Sequence, residues 1–185
     1  DAISFHYYTV PTGVWEKKGA ATGFGEDQWI STLSRAMHID TLIKKNIAAI
    51  DKNEASKKTG LYVDEWGTWY DVEPGTNTGF LFQQNSLRDA LVAALNFNIF
   101  HEHADRVRMT NIAQMVNVLQ AMIITDKDKY FLTPTYHAFQ MYVPFQDATS
   151  LPVAIAGNGK YSLGKFSIPE VSASAARAKD GKVYL

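Results

Sequence analysis

The sequence lacks cysteine, an excess of charge of one sign, and long apolar runs. The absence of cysteine in 185 residues excludes a disulfide scaffold, a thiolate metal site and a cysteine nucleophile. The 18 Lys and Arg residues face 19 Asp and Glu residues, so the formal net charge is −1. A nucleic-acid or anionic-membrane surface would need a basic patch, which this balance argues against. No apolar run approaches the roughly 18 residues of a membrane span.

What the sequence does contain is typical of a globular protein. Apolar residues are 46% and charged residues 20% of the chain, which argues against a disordered tail. The aromatic share is 12%, which favours a protein that stacks flat ligands or sugar rings, although large aromatics are also ordinary core residues. The first residue is Asp1 and a strand pattern follows at once. We therefore expect a piece of a longer chain, in which a missing targeting signal says nothing about compartment.

Strand and helix patterns alternate over residues 1–145. Predicted strands cover 2–8, 61–63 and 106–109; predicted helices cover 26–51, 83–103 and about 134–143, with a further apolar helix or helical turn at 112–124. Long irregular stretches follow the first two strands. This alternation predicts a parallel sheet covered by helices, with the functional site at the carboxyl ends of the strands. A closed eight-stranded barrel needs roughly 250 residues, so two alternatives stand: a small open sheet, or the last part of a barrel.

The pattern changes after Asp147. Gly157-Asn158-Gly159 and Asp180-Gly181 are hairpin turn signals, and residues 171–175 alternate with a period of two. Both features predict short antiparallel strands. We therefore expect two domains, at residues 1–145 and 146–185, of which the second is the start of an antiparallel β domain.

Glu65 is the strongest candidate for chemistry. It ends an apolar strand, lies beside Asp64 and is followed by Trp66, Trp69 and Tyr70. A carboxylate fixed at a strand end among aromatics is typical of glycoside hydrolysis, in which the scaffold holds an ionised nucleophile and the aromatics hold the sugar. The alternative is that Asp64 or Glu65 caps the following turn.

His6 and Tyr8 also end a strand. Strand alternation places these two side chains on one side and Tyr7 on the other. Facing a pocket, His6 and Tyr8 could hydrogen-bond a carboxylate nucleophile or sugar hydroxyls. The alternative is a satisfied, partly buried pair.

Two further polar clusters have weaker signals. Asn111, Gln114 and Asn117 follow the third strand, and their amides suit hydroxyl recognition, with helix capping and packing as the alternative. His101–His103 with Asp105 invites a metal interpretation. Side chains at i and i+2 do not share a helical face, and histidines suit the end of a helix. We therefore favour a structural role for this second cluster.

Three segments together carry a family resemblance. The run Gly60–Tyr70, GLYVDEWGTWY, closely resembles the nucleophile strand of glycoside hydrolase family 51, the α-L-arabinofuranosidases. Ile3–Tyr8 resembles the sixth barrel strand of that family, and Met109–Val118 resembles its eighth strand and following helix. The order and spacing of the three segments match, and the resemblance covers nearly the whole chain. The combination is specific, whereas Asp-Glu-Trp alone would be weak.

The resemblance implies an α/β fold: the last strands and helices of a (β/α)8 TIM barrel, followed by the beginning of a β-sandwich domain. It implies hydrolysis of terminal α-L-arabinofuranosyl bonds with retention, through a covalent glycosyl-enzyme. By motif match Glu65 would be the nucleophile, Tyr8 would hydrogen-bond near it, and His6 would support it. Trp69 would line the arabinose pocket and Gln114 would contact sugar hydroxyls. No metal or organic cofactor is implied.

The sequence departs from the family pattern in two places. Gly67-Thr68 stands where many members carry Asn-Val, which we interpret as a subgroup difference with an effect on the aglycone side. The acid/base glutamate of the family lies in a Gly-Asn-Glu context, whereas Asn53-Glu54 here lies in a polar connector. A retaining mechanism needs two carboxyl groups, and this chain supplies one. We therefore expect the chain alone to be inactive, and the missing barrel half to come from the same precursor or a second chain.

The resemblance further implies an arabinose-containing oligo- or polysaccharide substrate, a homo-oligomer and a cytoplasmic location. The balanced charge and short apolar runs predict no nucleic-acid or membrane partner. Two other functions stay open at this point. One is a different clan A glycosidase, of the xylanase or β-galactosidase type. The other is a non-catalytic carbohydrate-binding fragment.

Overall fold

A computed structural model describes residues 1–185 as four α-helices and ten strands. The helices are α1 Glu26–Ala36, α2 His38–Asn53, α3 Leu87–Glu102 and α4 Pro134–Tyr142. The strands are β1 Ala2–Thr9, β2 Gly60–Thr68, β3 Val107–Ile112, β4 Ile123–Asp126, β5 Lys129–Leu132, β6 Thr149–Leu151, β7 Lys160–Leu163, β8 Phe166–Pro169, β9 Ala175–Arg177 and β10 Val183–Tyr184. None of the helices combines the length and the apolar character needed to cross a membrane.

The predicted parallel sheet is confirmed. Strands β1, β2 and β3 lie side by side in that order, and both pairs are parallel. Helices α2 and α3 contact β2, and α4 packs on α3. Within this chain the sheet has three strands and does not close into a barrel.

The core lies between this sheet and the helices. Leu61, Val63 and Trp66 of β2 are fully buried. The Trp66 ring meets Phe97 and Phe100 of α3 edge-on, with ring centroids 5.5 and 5.3 Å apart. It also stacks on Phe139 of α4 at 6.1 Å. This aromatic cluster holds the strand that carries Glu65 against two helices.

The prediction of a single helix over 26–51 is wrong. The chain bends at Met37, whose amide donates to the carbonyl of Leu33 at 3.3 Å, and α1 and α2 are separate helices. Helix α1 packs against α3, β1 and β8, whereas α2 packs against β2 and α3. Hydrophobic periodicity continues across the bend because both helices present an apolar face to the core, so the pattern does not reveal the change of direction.

The prediction of a helix over 112–124, and of a helix directly after the third strand, is also wrong. This segment is irregular, and β4 and β5 form a hairpin after it. Asn117 and Leu119 have φ of +62° and +52°, which a right-handed helix does not contain. The side chain of Asn117 makes two hydrogen bonds with Thr125. Its Oδ1 accepts from the main-chain N of Thr125 at 2.7 Å, and its Nδ2 donates to the Thr125 hydroxyl at 2.8 Å. Such side-chain bonds compete with helix formation.

The remaining boundaries differ by a few residues. Strand β2 continues through Thr68, although the sequence suggests a loop from Trp66 onward. Helix α3 begins at Leu87, four residues after the predicted start, and its first turn runs against hydropathy, because Leu87 is 64% exposed while Arg88 and Asp89 are fully buried. Hydropathy misplaces this face because polar side chains on it are bonded inside the protein.

The predicted start of α4 is confirmed. Thr133 is the N-cap, and its hydroxyl accepts from the amide of Tyr136 at 3.3 Å, with Pro134 in the first turn. The same hydroxyl donates to the carbonyl of Ala121 at 2.8 Å. Thr133 therefore joins the helix to the segment before β4.

We expect Thr133→Ala to lower the free energy of unfolding by about 1–2 kcal/mol, because the helix loses its cap and a buried carbonyl loses its donor. Urea denaturation followed by circular dichroism measures this change. Thr78→Ala, at an exposed threonine, is the matched control and should shift stability by less than about 0.5 kcal/mol. Equal effects of the two substitutions would contradict the capping role.

The C-terminal segment forms antiparallel strands, as predicted. Strands β6, β9 and β10 make one sheet, and β7 and β8 make a hairpin. The turn at Asp180-Gly181 joins β9 to β10, as its sequence indicates. The turn predicted at 157–159 is not a hairpin turn, because β7 pairs with β8 through Gly164 and Lys165 instead.

The alternating pattern at 171–175 becomes a strand only from Ala175. Its serines bond to α3 rather than lying in a sheet. The side-chain Nδ2 of Asn98 donates to the hydroxyl of Ser172 at 3.0 Å, and the hydroxyl of Ser174 donates to Asn98 Oδ1 at 2.9 Å. These bonds fasten the C-terminal segment to the helix behind the parallel sheet.

Candidate active site

The carboxyl ends of β1 and β2 bring His6 and Glu65 together. These two residues are paired across the strands, and the register shifts immediately before them, so that Asp64 has no partner in β1. Because of this bulge, His6 reaches both acidic neighbours. Its Nδ1 lies 3.3 Å from Glu65 Oε2 and its Nε2 lies 3.3 Å from Asp64 Oδ1. Simple alternation would place the two carboxylates on opposite faces.

Tyr8 makes the shortest contact with Glu65. Its hydroxyl donates to Glu65 Oε2 at 2.7 Å. Burial, with the hydrogen bond and negative charge of Glu65, raises the pKa of Tyr8 well above its ordinary value. The phenol therefore stays protonated and keeps donating across the working pH range. Tyr7 points the other way and donates to the carbonyl of Arg35 at 2.6 Å, as the alternation predicts.

The Glu65 carboxylate is held on one side and open on the other. Its side chain is 46% exposed, and both Tyr8 and His6 approach the same oxygen, Oε2. Oε1 makes no hydrogen bond within the chain. A carboxylate fixed through one oxygen with the other free is suited to attack an electrophilic carbon.

Aromatic rings extend outward from Tyr8. Trp69 meets Tyr8 edge-on at 4.8 Å between centroids, and Trp15 meets Trp69 at 4.9 Å. Lys18 Nζ lies 4.6 Å from the centre of the Trp15 ring. Trp15 belongs to the irregular stretch after β1 and is 51% exposed. The sequence gives no signal for its place beside the site beyond the length of that loop.

The amide residues of the third strand end are not brought into contact with Glu65. Gln114 is exposed and follows Ala113, whose amide donates to the carbonyl of Trp66 at 2.9 Å. It therefore lies after β3 at the same edge of the sheet, but no hydrogen bond joins its side chain to Glu65 or Tyr8. Asn111 is also exposed, and Asn117 holds Thr125 as described above.

His101 and His103 have separate partners. His101 Nδ1 lies 2.9 Å from the Ser174 hydroxyl, and burial lowers the pKa of His101. His103 Nε2 lies 2.8 Å from Asp40 Oδ1. Burial would raise the pKa of Asp40, but hydrogen bonds from His103 and Lys44 bring it below its ordinary value. No three His, Asp or Glu side chains of the chain converge as metal ligands would.

A buried polar network lies behind the site, and sequence reasoning missed it. The Thr68 hydroxyl, at the end of β2, donates to Asp89 Oδ1 at 2.5 Å. Gln120 accepts from the Thr68 amide at 2.7 Å, and Gln83 accepts from the Tyr70 amide at 2.9 Å. Burial raises the pKa of Asp89, although the hydrogen bond from Thr68 opposes this. The network fixes the main chain just after Glu65.

Part of this network has a sequence signal. Ser86 and Asp89 form a capping box at the start of α3, and Ser-x-x-Asp is a known helix-start pattern. Gln83 and Gln120 carry no such signal, because an isolated glutamine is usually exposed.

Gly67 and Thr68, where the sequence departs from the family pattern, both contact the same network. Gly67 has φ of +138°, and a Cβ there would lie 3.1 Å from Gln120 Oε1. Only glycine adopts this conformation without strain. Thr68 is fully buried with its hydroxyl on Asp89. Both residues thus contact the protein interior rather than open solvent.

Parallel strands with helices packed on them, and a half-exposed carboxylate toward their carboxyl ends beside aromatic rings, make this an α/β protein with a candidate site at the strand ends. A family model described as the alpha-L-arabinofuranosidase C-terminal domain matches residues 64–182. The chain therefore belongs to the α-L-arabinofuranosidase family, as the sequence resemblance predicted.

Individual relatives agree with this assignment. The chain is 46% identical over its whole length to an intracellular exo-alpha-L-arabinofuranosidase of Bacteroides ovatus. It is 30% identical, over 80% of its length, to an intracellular exo-alpha-(1->5)-L-arabinofuranosidase of Bacillus subtilis. The crystal structure of the GH51 arabinofuranosidase from Xanthomonas axonopodis pv. citri superposes with a TM-score of 0.95 at 59% identity, over 99% of this chain.

A more distant structure, an alpha-L-arabinofuranosidase from Thermotoga maritima in an arabinose complex, superposes with a TM-score of 0.68 at 25% identity and covers 98% of this chain. The chain covers 36% and 32% of its two curated relatives, and 37% and 36% of the two structures. It therefore spans about a third of the length of the proteins it matches.

Proposed function

We propose that this chain supplies the nucleophile part of a retaining α-L-arabinofuranosidase, with Glu65 as the nucleophile. The observation that carries the proposal is the one-sided fixing of Glu65: Tyr8 holds Oε2 at 2.7 Å while Oε1 stays unbonded. A nucleophilic carboxylate must be oriented and ionised. The neutral phenol of Tyr8 orients it without removing its charge, and His6 approaches the same oxygen.

In the proposed reaction, Glu65 Oε1 attacks the anomeric carbon of a terminal arabinofuranosyl unit. The bond from that carbon to the leaving oxygen breaks, and the leaving oxygen takes a proton from a second carboxyl group. Water then hydrolyses the glycosyl-enzyme with that second group as base, which returns Glu65 as a carboxylate. The two carboxyl groups of a retaining enzyme lie about 5–5.5 Å apart. We place the second in the part of the protein outside this chain.

We propose that β1, β2 and β3 are the last three strands of a (β/α)8 barrel, in the segment 1–145, and that 146–185 begins a β-sandwich domain. The parallel order of β1, β2 and β3 supports the first part, and the antiparallel pairing of β6 to β10 supports the second. The missing barrel half, from the same precursor or a second chain, would cover the open sheet edges.

We assign Trp69 to the wall of the arabinose pocket and Gln114 to the sugar hydroxyls. Trp69 is half-buried, and its T-shaped contacts with Tyr8 and Trp15 fix the position of its ring beside Glu65's partner Tyr8. Gln114 is exposed at the same edge of the sheet, where its amide can both donate and accept. Sugar binding would bring this side chain into the site.

The substrate that this site favours is a terminal arabinofuranosyl unit of an arabinose-containing oligo- or polysaccharide. The relatives from Bacteroides ovatus and Bacillus subtilis are both named intracellular exo-acting arabinofuranosidases, which supports release of terminal units and a cytoplasmic location. We also propose a homo-oligomer as the working form.

A panel of aryl glycosides tests the proposed substrate on the full-length protein that contains this chain. The expected result is fast cleavage of the α-L-arabinofuranoside alone. Faster cleavage of a xyloside or galactoside would assign the site to another glycosidase class. Sugar binding without any cleavage would assign it to a carbohydrate-binding protein.

We expect Tyr8→Phe to lower kcat by roughly 10- to 100-fold, because a charge-assisted hydrogen bond contributes about 1.5–3 kcal/mol. Steady-state kinetics on an aryl arabinofuranoside measures the effect. Tyr7→Phe is the matched control: it loses a hydrogen bond of 2.6 Å that points away from the site, and it should lower stability more than turnover. If Tyr8→Phe turned over as fast as wild type, Tyr8 would have no role in orienting Glu65.

A further inference from the structure

Arg88, at the start of α3, is a fully buried cation that forms no direct salt bridge. No carboxylate lies within 4.0 Å of its guanidinium, whereas five other Lys and Arg side chains pair with an Asp at that distance. Its charge lowers the pKa of the buried Asp89, the next residue in the chain, against the effect of burial. Its Nη1 makes no hydrogen bond, so the other contacts of the guanidinium show what it holds in place.

Those contacts come from two different loops. From the loop after β1, Arg88 Nη2 donates to the carbonyl of Ala20 at 2.9 Å, and the Phe24 ring centre lies 3.7 Å from the guanidinium carbon. From the loop after β2, Tyr70 accepts from Nε at 3.1 Å and its ring centre lies 4.2 Å away. A planar guanidinium can stack between two rings and donate in its own plane, whereas a lysine ammonium cannot.

The same two loops carry the outer wall of the candidate site. Trp15 lies in the first loop and Trp69 in the second, and their rings touch. A second tie lies nearer the surface, where the Asp71 carboxylate accepts from the amides of Lys18 and Gly19 at 3.1 and 2.9 Å. The Asp71 amide also donates to the carbonyl of Gly19, and the Trp69 amide donates to the carbonyl of Thr9, both at 3.0 Å. Arg88 is thus one of several links between the two segments, and it is the one made by a fully buried charged side chain.

We propose that Arg88 is a positioning residue that sets the separation of Trp15 and Trp69, and thereby the width of the sugar pocket beside Glu65. The proposal rests on the proposed function of that pocket. Arg88 touches neither Glu65 nor Tyr8 and acts through the two loops. Its loss should weaken the binding of substrate and transition state alike, which raises KM while leaving kcat nearly unchanged.

The test compares Arg88→Lys with Arg106→Lys in the full-length protein. Arg106 directly precedes β3 and is buried too, but it lies at the opposite end of the strands from the candidate site. Its guanidinium donates to the Asp51 carboxylate and to the carbonyl of Thr59. Each variant loses a buried guanidinium that donates to more than one acceptor, so both should lower the melting temperature. Only Arg88→Lys should raise KM for an arabinofuranoside, by about tenfold, with kcat within about threefold of wild type.

A spectroscopic readout follows the tryptophan pair directly. Subtracting the near-UV circular dichroism of Trp15→Phe from that of the parent gives the signal of Trp15 in contact with Trp69. We expect this difference to fall by more than about half in the Arg88→Lys background, because a displaced ring loses coupling with its neighbour. It should stay unchanged in the Arg106→Lys background.

Phe24→Leu is the second variant, for the case that Arg88→Lys does not fold. It removes one stacking ring, is only partly buried, and should change KM and the difference spectrum in the same direction by a smaller amount. The proposal is wrong if Arg88→Lys matches Arg106→Lys in both KM and the Trp15 difference spectrum, because Arg88 is then merely structural. The same comparison applies to Phe24→Leu if that variant is used in its place. Wild-type protein without arabinofuranosidase activity would overturn the proposed function, while the difference spectrum would still decide whether Arg88 positions the loops.

Discussion

Replacing Glu65 with glutamine should lower kcat on an aryl arabinofuranoside by roughly 10⁴-fold or more, as removal of a nucleophile does in other covalent mechanisms. The amide keeps the size of the side chain and can still meet the Tyr8 hydroxyl, so the structure should survive. Melting temperature and circular dichroism check that it does. Turnover near the wild-type rate would eliminate Glu65 as the nucleophile.

Asp64 provides a matched control for that substitution. Asp64→Asn changes the adjacent acid, which also lies 3.3 Å from His6 but does not contact Tyr8. We expect a far smaller loss, within about tenfold, because Asp64 acts on Glu65 only through His6. If the losses were reversed, Asp64 would take the role that we assign to Glu65.

Chemical rescue separates a nucleophile from a merely supporting carboxylate. Glu65→Gly leaves room for azide, which can attack the anomeric carbon as the bond to the glycosidic oxygen breaks and the aryloxide leaves, giving an arabinofuranosyl azide of inverted configuration. Recovery of turnover with azide, and inversion seen by NMR, are the expected results. Azide should not alter the rate of Asp64→Asn.

Trp66→Ala should have the largest effect on stability. Trp66 is fully buried against Phe97, Phe100 and Phe139, and truncation of such a side chain costs about 3–5 kcal/mol through lost contacts and a cavity. Because Trp66 directly follows Glu65, its loss also loosens the strand end that carries the nucleophile. Urea denaturation monitored by circular dichroism measures the change.

Two further tryptophan substitutions sharpen this prediction. Trp66 Nε1 is buried without a hydrogen-bond partner, so Trp66→Phe removes an unsatisfied donor and keeps an aromatic ring in place. It should cost less than about 1.5 kcal/mol. Trp15→Ala, at a half-exposed ring, should cost less than Trp66→Ala. A loss below about 1 kcal/mol for Trp66→Ala would show that the aromatic cluster does not hold β2.

Much of the candidate site could be predicted from the sequence because its residues lie at the ends of strands. The strand patterns at 2–8 and 61–63 place His6, Tyr8 and Glu65 at strand ends, and parallel strands bring their carboxyl ends to one edge. The Thr133-Pro134 helix start is equally local. These predictions depend on short-range periodicity and capping, which a single sequence displays directly.

Other features have no local signal. The bend at Met37 and the hairpin in place of a helix after residue 112 both follow apolar patterns that fit more than one structure. The bulge before Glu65 depends on pairing with β1, more than fifty residues away in sequence. Register is decided by which side chains the two strands bury together, and one strand alone does not contain that information.

The family, the alternation of strands and helices, and an acidic residue in the carboxyl half of β2 could all be read from the sequence. The burial of Arg88 and Asp89, and the contact of Trp15 with Trp69, are visible only in the folded chain. Burial of polar and charged groups depends on distant partners, such as the carbonyl of Ala20 for Arg88 and the hydroxyl of Thr68 for Asp89. Hydropathy treats such residues as exposed, and only the folded chain supplies the hydrogen bonds that make their burial possible.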